Sequence, residues 1–213
     1  QIMSRLWEFR LSGTGGQGII KAAVLLAQAA LYDGYDATQS QVYGPESRGG
    51  SSKGEVVIDH HEILYPKVVK PNFLLCLSQQ AYDKFAKDIT NDGILLVDQH
   101  FCKVDDKVPA GVKVYSLPII DAANNVLKNH LSANVVSLGA IIGLTKVVSL
   151  EAAKESLKDN FKAKLVPMNI DALEFGYNMA AEAIHREAEK VEKQEFKKKM
   201  QETKKHKAEN KQQ

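Results

Sequence analysis

Hydrophobic and polar positions at the start of the chain predict a strand, a loop and a helix. Trp7, Phe9 and Leu11 lie two residues apart and share one face of a predicted strand. Residues 17–32 follow as a run that is apolar on most faces, which is typical of a buried helix. Gly34 is predicted to end that helix in a left-handed conformation. The first unit of the fold is therefore predicted to be a strand joined to a buried helix.

Further short strands alternate with helices along the chain, which is typical of a parallel sheet covered on both faces. Residues 55–58 and 62–65 predict an antiparallel hairpin with His60 and His61 at its tip. We expect an α/β fold of three layers, with a mostly parallel sheet, a short antiparallel hairpin and a Rossmann-like glycine loop. Further strands are predicted at 35–38, 73–77, 94–97 and 112–115, and helices at 79–89 (capped by Ser78), 118–131, 134–148, 150–160 (capped by Ser149) and from 171 onward.

Composition places the chain among ordinary soluble domains. It has 213 residues, of which 44% are hydrophobic and 25% charged, and a formal net charge of +2. We predict one domain at 1–191, followed by a Lys-rich tail at 192–213 that is a frayed helix or disordered. The tail lysines are predicted to form a solvated charge run, with no nucleic-acid partner. The absence of a signal sequence or a long apolar run predicts a cytoplasmic protein with no membrane partner.

The two cysteines and the paired histidines predict no metal centre. Cys76 lies in an apolar run and is predicted to be a small buried residue, whereas Cys102 lies in a loop-like stretch and is predicted to be a free thiol. Neither belongs to a C-x-x-C pair, so a zinc or iron–sulfur site held by this chain alone is not expected. His60 and His61 are predicted to be surface turn residues. This use of cysteine fits a reducing cytosol.

The glycine loop after the first strand is the main candidate for chemistry. Gly13, Gly15 and Gly18 satisfy G-x-G-x-x-G between a strand and a helix, which presents backbone N–H groups to an anion. Three interpretations remain open: a dinucleotide site, a phosphate or coenzyme pocket without nicotinamide chemistry, and close packing of helix on strand. The dinucleotide hypothesis needs an acidic residue about 20 residues further on, and Asp36 meets that spacing.

A second loop, at 39–52, carries an unusual set of residues. It combines Tyr43, Glu46, Arg48 and the pair Gly49-Gly50 in a short space. Arg48 supplies a planar fork of donors for a carboxylate or phosphate, although pairing with Glu46 is the alternative. A long loop beside a strand end is more often functional than idle.

Two further polar residues have competing interpretations. Asp98 follows a buried strand, where α/β proteins place ligand contacts, and a structural cap is an equal alternative. Asn134 is predicted to cap the helix that follows it.

The two loops together resemble a known family. Gly-Thr-Gly-Gly-Gln-Gly at 13–18, followed by Tyr-Gly-Pro-Glu-Ser-Arg-Gly-Gly at 43–50, is similar to the gamma subunit, or gamma domain, of the 2-oxoacid:ferredoxin (acceptor) oxidoreductases. The resemblance spans about residues 6–185 and leaves out the Lys-rich tail. Val42 departs from it, because relatives often have a serine or another small residue there. Further matching features are 63–66, Asp98, 134–139 and Asn169.

The resemblance implies a subunit of an enzyme that oxidatively decarboxylates a 2-oxoacid to an acyl-coenzyme A and passes electrons to ferredoxin. Overall similarity favours 2-oxoglutarate over pyruvate or a branched-chain 2-oxoacid. Thiamine diphosphate, Mg²⁺ and [4Fe–4S] clusters are then expected in partner alpha, beta and possibly delta subunits. This chain would contribute to assembly and contact coenzyme A, and would not be catalytic alone.

The resemblance also implies which residues face the partner subunits or the coenzyme, with no catalytic residue and no metal ligand among them. The alternatives are an NAD(P)-dependent oxidoreductase and a non-catalytic assembly scaffold. The expected contact residues are Gly13, Gly15, Gly16, Gln17, Gly18, Tyr43, Glu46, Arg48 and Gly49.

Overall fold

The computed structural model describes residues 6–15, 17–42, 51–129 and 132–209. Its strands are β1 (Trp7–Thr14), β2 (Asp36–Val42), β3 (Ser51–Asp59), β4 (Phe73–Cys76), β5 (Ile94–Asp98) and β6 (Lys113–Leu117). Its α-helices are α1 (Ile19–Tyr32), α2 (Gln79–Phe85), α3 (Ile119–Asp121), α4 (Ala133–Thr145), α5 (Leu150–Asn160) and α6 (Val166–Glu209).

The six strands form one mixed sheet in the order β2-β3-β1-β4-β5-β6. The strands β1, β4, β5 and β6 are parallel, whereas β3 runs antiparallel to both of its neighbours. Alternate residues of β3 meet different helices, because side chains alternate across a strand. Gly54 lies against Ala23 of α1, and its neighbour Glu55 pairs with Arg10, whose guanidinium lies 5.3 Å from the ring of Phe85 in α2. The predicted α/β class with helices on both faces is confirmed.

The antiparallel hairpin is not the predicted one. Its arms are β2 and β3, and residues 62–65 form no strand. The reason is that β3 already pairs on both sides, with β1 and β2, so neither edge is left for another strand. The segment is held instead by a hydrogen bond from the N–H of Ile63 to the carboxylate of Asp36, and Leu64 is 87% exposed.

Serine caps begin two helices as predicted. The hydroxyl of Ser78 accepts from the N–H of Ala81, and that of Ser149 from the N–H of Ala152. The prediction for Asn134 was wrong, because α4 begins one residue earlier and Ser132 takes the cap position. The side-chain oxygen of Asn134 accepts from the N–H of Val135 within the first turn.

Three other helices differ from prediction in extent. The helix expected at 118–131 is a single turn, α3, followed by a π-turn at Ala122–Val126. The helix expected at 79–89 ends at Phe85 and continues as a short 3₁₀ turn. Helix α6 begins at Val166, five residues before the predicted start.

Helices α4 and α6 cross with their backbones in direct contact. A Cβ on Gly139 would lie 2.0 Å from the carbonyl oxygen of Leu173, and a Cβ on Gly176 would lie 2.0 Å from that of Val136. Only glycine permits this approach. Eleven of the 13 residues of α4 are buried, so the helix is central to the core.

A buried ion-pair network lies between the sheet and α2. Arg10 donates to Glu55 and to Asp88, at 2.8 Å each, and to the carbonyl of Val68. Lys53 reaches the same carboxylate oxygen of Glu55 at 2.9 Å. The buried guanidinium of Arg10 is compensated, because it is paired with the carboxylates of Glu55 and Asp88. The pair with Glu55 also joins β1 to β3.

The chain divides into two compact units, one ending at Ala180 and the other beginning at Ala181. The predicted boundary at 191 and the nature of the 192–213 tail stay predictions. Helix α6 continues through Glu209. No helix of the described residues is long and apolar enough to cross a membrane.

Candidate functional site

The glycine loop follows β1 at the carboxyl edge of the sheet, where Gln17 folds back across it. The side-chain oxygen of Gln17 accepts from the N–H of Thr14 at 2.8 Å, and its amide nitrogen donates to the carbonyl of Leu77 after β4. A Cβ on Gly13 would lie 2.2 Å from that side-chain oxygen, so glycine makes room for this clip. Gly15, by contrast, is exposed and has nothing within 4 Å of where a Cβ would be.

Gly18 and Asn134 bring the starts of two helices together. Gly18 has a φ of 70°, a left-handed conformation that favours glycine, and a Cβ there would lie 2.7 Å from the Nδ2 atom of Asn134. Asn134 is only 7% exposed, its side-chain oxygen accepts from the N–H of Val135, and its Nδ2 atom is directed toward Gly18. An acceptor brought to the starts of these two helices would therefore meet the side-chain amide of Asn134.

At these two helix starts the residue in the cap position supplies no capping side chain, although the side-chain oxygen of Asn134 accepts from one first-turn N–H of α4, that of Val135. Helices α1 and α4 have no capping hydrogen bond from the side chain at the cap position and no acidic residue in the first turn. The first N–H groups of a helix carry partial positive charge and no intrahelical acceptor. The arrangement therefore suits an anion, held by backbone donors and by the amide of Asn134.

The described ends of the second loop lie at the same edge of the sheet. Val42 pairs with Lys53, and Ser51 pairs with Thr14 at the end of β1. The hydroxyl of Ser52 also donates to the carbonyl of Gly13 at 3.5 Å. The two sequence motifs are thus attached at one place. Five predicted contact residues lie outside the described residues: Gly16, Tyr43, Glu46, Arg48 and Gly49.

Asp36 lies at the opposite edge of the sheet, which contradicts its predicted role in a dinucleotide site. It begins β2 and pairs with Asp59, one position beyond the pairing of Ile58 with Trp7 at the start of β1. A ribose-binding acid must stand at the end of a strand next to the glycine loop. The spacing of Asp36 from the glycines met the dinucleotide rule, but the rule assumes that the second strand lies next to the first. Here β3 lies between β1 and β2.

Asp98 has a structural role in the described residues. It is fully buried, and its two carboxylate oxygens accept from the N–H groups of His100, Phe101 and Ile120. These bonds tie the end of β5 to the start of α3. The cap interpretation therefore accounts for all of the contacts that Asp98 makes there.

The cysteines and histidines form no metal centre in the described ranges. Both thiols are free and buried, so the loop position of Cys102 did not predict its burial. Burial raises the pKa of each thiol to about 12, which makes both poor nucleophiles. His60 and His61 are exposed, as predicted for surface residues.

The family model described as pyruvate ferredoxin/flavodoxin oxidoreductase matches residues 8–179. The chain belongs to this family. Within the pyruvate ferredoxin/flavodoxin oxidoreductase family, it is 46% identical over 176 residues to 2-oxoglutarate synthase subunit KorC of Methanocaldococcus jannaschii, covering 82% of this chain and 94% of that protein. It is 31% identical over 174 residues to pyruvate synthase subunit PorC of the same organism, and the match covers 80% of this chain and 95% of that protein.

Two solved structures show a similar fold. The gamma subunit of a keto/oxoacid ferredoxin oxidoreductase from Geobacter sulfurreducens is 40% identical, with a TM-score of 0.74, covering 83% of this chain and 99% of that one. The 2-oxoglutarate:ferredoxin oxidoreductase of Magnetococcus marinus, solved with 2-oxoglutarate, coenzyme A and succinyl-CoA, is 23% identical, with a TM-score of 0.75. The match covers 83% of this chain and 31% of that one, and it shows the fold alone.

Two features of the site escaped the sequence analysis. The clip formed by Gln17 and the buried donor of Asn134 both depend on contacts with distant strands and helices. Sequence carries one signal for the second: an amide at the start of an otherwise apolar helix is unusual, and it needs a partner when buried.

Proposed function

We propose that this chain is the gamma subunit of a thiamine-diphosphate-dependent 2-oxoacid:ferredoxin oxidoreductase that acts on 2-oxoglutarate. The observation that carries the substrate is the contrast between two relatives from one organism. Identity to the 2-oxoglutarate synthase subunit is 46%, against 31% to the pyruvate synthase subunit, over similar lengths. The complex would convert the 2-oxoacid to an acyl-coenzyme A and pass the electrons to ferredoxin.

In this proposal the chain binds coenzyme A and the partner subunits do the chemistry. Alpha, beta and possibly delta subunits hold thiamine diphosphate, Mg²⁺ and [4Fe–4S] clusters, and the complex is cytoplasmic. The two helix starts and the amide of Asn134 receive a coenzyme A phosphate, and exposed Gly15 lets it approach the backbone. Gly16, Tyr43, Glu46, Arg48 and Gly49 complete the contact with coenzyme or partner subunits.

The substrate assignment is tested on the complex purified with its native partners. Turnover is measured with 2-oxoglutarate, pyruvate and 2-oxoisovalerate, with coenzyme A and ferredoxin. We expect the highest kcat/KM for 2-oxoglutarate and no turnover by the isolated chain. A complex that prefers pyruvate would refute the substrate, and NAD(P)H-dependent turnover by the isolated chain would refute the class.

The coenzyme contact is tested with Asn134→Ala in the same complex. Loss of a hydrogen bond to a charged phosphate costs roughly 1.5–3 kcal/mol, so we expect the KM for coenzyme A to rise about tenfold or more, with kcat retained at saturating coenzyme A. The matched control is Ser149→Ala, which changes a helix start at which Ser149 supplies the cap. An unchanged KM with Asn134→Ala would refute the coenzyme contact and favour a scaffold.

A further inference from the structure

The C-terminal extension, residues 186–213, lies outside the region shared with the family. The family model ends at residue 179. The KorC subunit and the Geobacter gamma subunit are covered over 94% and 99% of their own lengths, yet they account for only 82% and 83% of this chain. The extension therefore needs an explanation of its own.

The extension continues helix α6, and its residues 186–196, 199 and 200 are exposed. Helix α6 continues through Glu209, with ion pairs one turn apart at its start, such as Lys193 to Glu189 at 3.5 Å. Its large apolar residues, Val191, Phe196 and Met200, are exposed. Phe196 and Met200 are four residues apart, but Val191 precedes Phe196 by five and lies on another side of the helix, so the three form no continuous stripe. The segment is thus suited to electrostatic contact and not to burial in an apolar seam.

Basic and acidic residues of the extension follow separate lines along the helix. Lys190, Lys197 and Lys204 recur every seven residues, and so do Glu195, Glu202 and Glu209. Positions seven apart lie on nearly the same side of a helix, whereas a shift of five positions rotates by about 140°. The sequence pattern therefore predicts one basic side for the helix, and the extension has ten lysines and arginines against six acidic residues.

We propose that the basic side of the extension docks a small acidic iron–sulfur electron carrier. The proposal rests on the proposed function, which requires such a carrier as electron acceptor. Clusters held by four cysteine thiolates carry net negative charge, and a carrier that must bind and leave at each turnover gains from steering more than from tight binding. Nine of the ten basic residues are lysines, whose strongly hydrated charge suits such short-lived contact.

Two other anionic partners fit the extension less well. Nucleic-acid binding by a flexible basic segment uses interleaved aromatics, and the extension has only Phe196. An amphipathic membrane helix needs a continuous apolar face, which the extension lacks.

The test reverses three charges of the basic line, Lys190→Glu, Lys197→Glu and Lys204→Glu, in the assembled complex. The matched control reverses Lys113, Lys162 and Lys164, which are exposed residues of the first unit, and changes the net charge equally. Reduction of a purified two-cluster ferredoxin and of methyl viologen is followed from 20 mM to 1 M salt. We expect kcat/KM for ferredoxin to fall about tenfold at low salt only, with viologen reduction unchanged and the control within about twofold.

Three outcomes would overturn the docking proposal. The first is the same kcat/KM for ferredoxin in the unaltered complex, the basic-line variant and the control variant. The second is an equal loss of kcat/KM in both variants. The third is a basic-line variant that loses binding to poly(U) or to phosphatidylserine vesicles while its ferredoxin kinetics do not change. Failure of the unaltered complex to reduce viologen with 2-oxoglutarate would instead count against the proposed function. The two hypotheses can therefore fail separately.

Discussion

Helices α5 and α1 begin in opposite ways. At the start of α5, the hydroxyl of Ser149 accepts from the backbone, Asp33 accepts from Ser149, and Glu151 faces the positive end of the helix. At the start of α1, left-handed Gly18 supplies no side chain, and no acidic residue lies in the first turn. The chain's own side chains cap the start of α5, whereas no side chain at the cap position accepts from the first N–H groups of α1.

In the proposed function, this difference separates helix starts that the chain caps from helix starts that receive a ligand. Helix α2, which is capped by Ser78, resembles α5, whereas α4 resembles α1 and meets it at Asn134. The two open starts therefore occur together, beside the glycine loop. Under the proposed function, the backbone donors of these two starts bind the coenzyme or a partner subunit.

The largest expected effect comes from Gly18→Ala. The new methyl group would lie 2.7 Å from the Nδ2 of Asn134, in a backbone conformation that disfavours side chains. We expect a loss of about 2 kcal/mol or more in unfolding free energy, and a Tm lower by about 5 °C. Thermal unfolding of the isolated chain measures it.

Gly15→Ala is the matched control, since its methyl group would meet nothing within 4 Å. Its stability should stay within about 0.5 kcal/mol of the unaltered chain. Equal losses in both variants would show that loop flexibility, and not the contact with Asn134, explains the need for glycine at 18.

Ser149→Ala should cost about 1–2 kcal/mol, because it removes the cap of α5 and the contact with Asp33. Denaturant unfolding measures the loss, while the KM of the complex for coenzyme A should not change. A weaker coenzyme affinity in this variant would break the division between structural and functional helix starts.

Asn134→Asp should stabilise the isolated chain by about 0.5–1 kcal/mol at pH 7, because a carboxylate would face two uncapped helix starts. The same change should weaken coenzyme A binding by repelling its phosphates. Unfolding of the isolated chain measures the expected gain in stability, and titration of the complex with coenzyme A measures the expected loss of affinity. If the variant destabilises the chain, the helix starts are not the positive region that the comparison requires.

The smallest effect on stability at neutral pH is expected from ionisation of the two buried thiols. The pKa of Cys76 and Cys102 is raised to about 12, so alkylation at pH 8 should be at least about 100-fold slower than for a free cysteine. Because folding raises these pKa values, their stabilising contribution is complete below about pH 8.5 and is lost as the pH rises toward 12. Replacing both cysteines by alanine should flatten the alkaline fall in Tm, and an equal slope would contradict this.

Local sequence signals predicted much of the fold. Helix α5 lies where its pattern and its serine placed it, and buried strands such as β4 and β5 differ by one residue at an end. The hairpin failed because pairing depends on which sheet edge is free, and β3 takes both β1 and β2 as neighbours. A local pattern of apolar and polar residues does not show which distant segments will pair with a strand.

The site was predictable in place and less so in detail. The spacing of the glycines predicted a loop between β1 and α1, and the fold brings the ends of the second loop beside it. Its binding of an anion stays a prediction. Asp36 shows the limit, because its spacing met the dinucleotide rule while β3 separates its strand from β1. The donor of Asn134 depends on where α4 crosses α1, which no spacing encodes.

The crossing of α4 and α6 has a consequence for how this domain can evolve. Gly139 and Gly176 bring main chain against main chain, so the position of α4 there depends on no side chain that substitution could enlarge or shrink. Side chains elsewhere can then drift while the amide at the start of α4 keeps its place. We expect distant relatives to vary across the core and still retain glycine at these two positions.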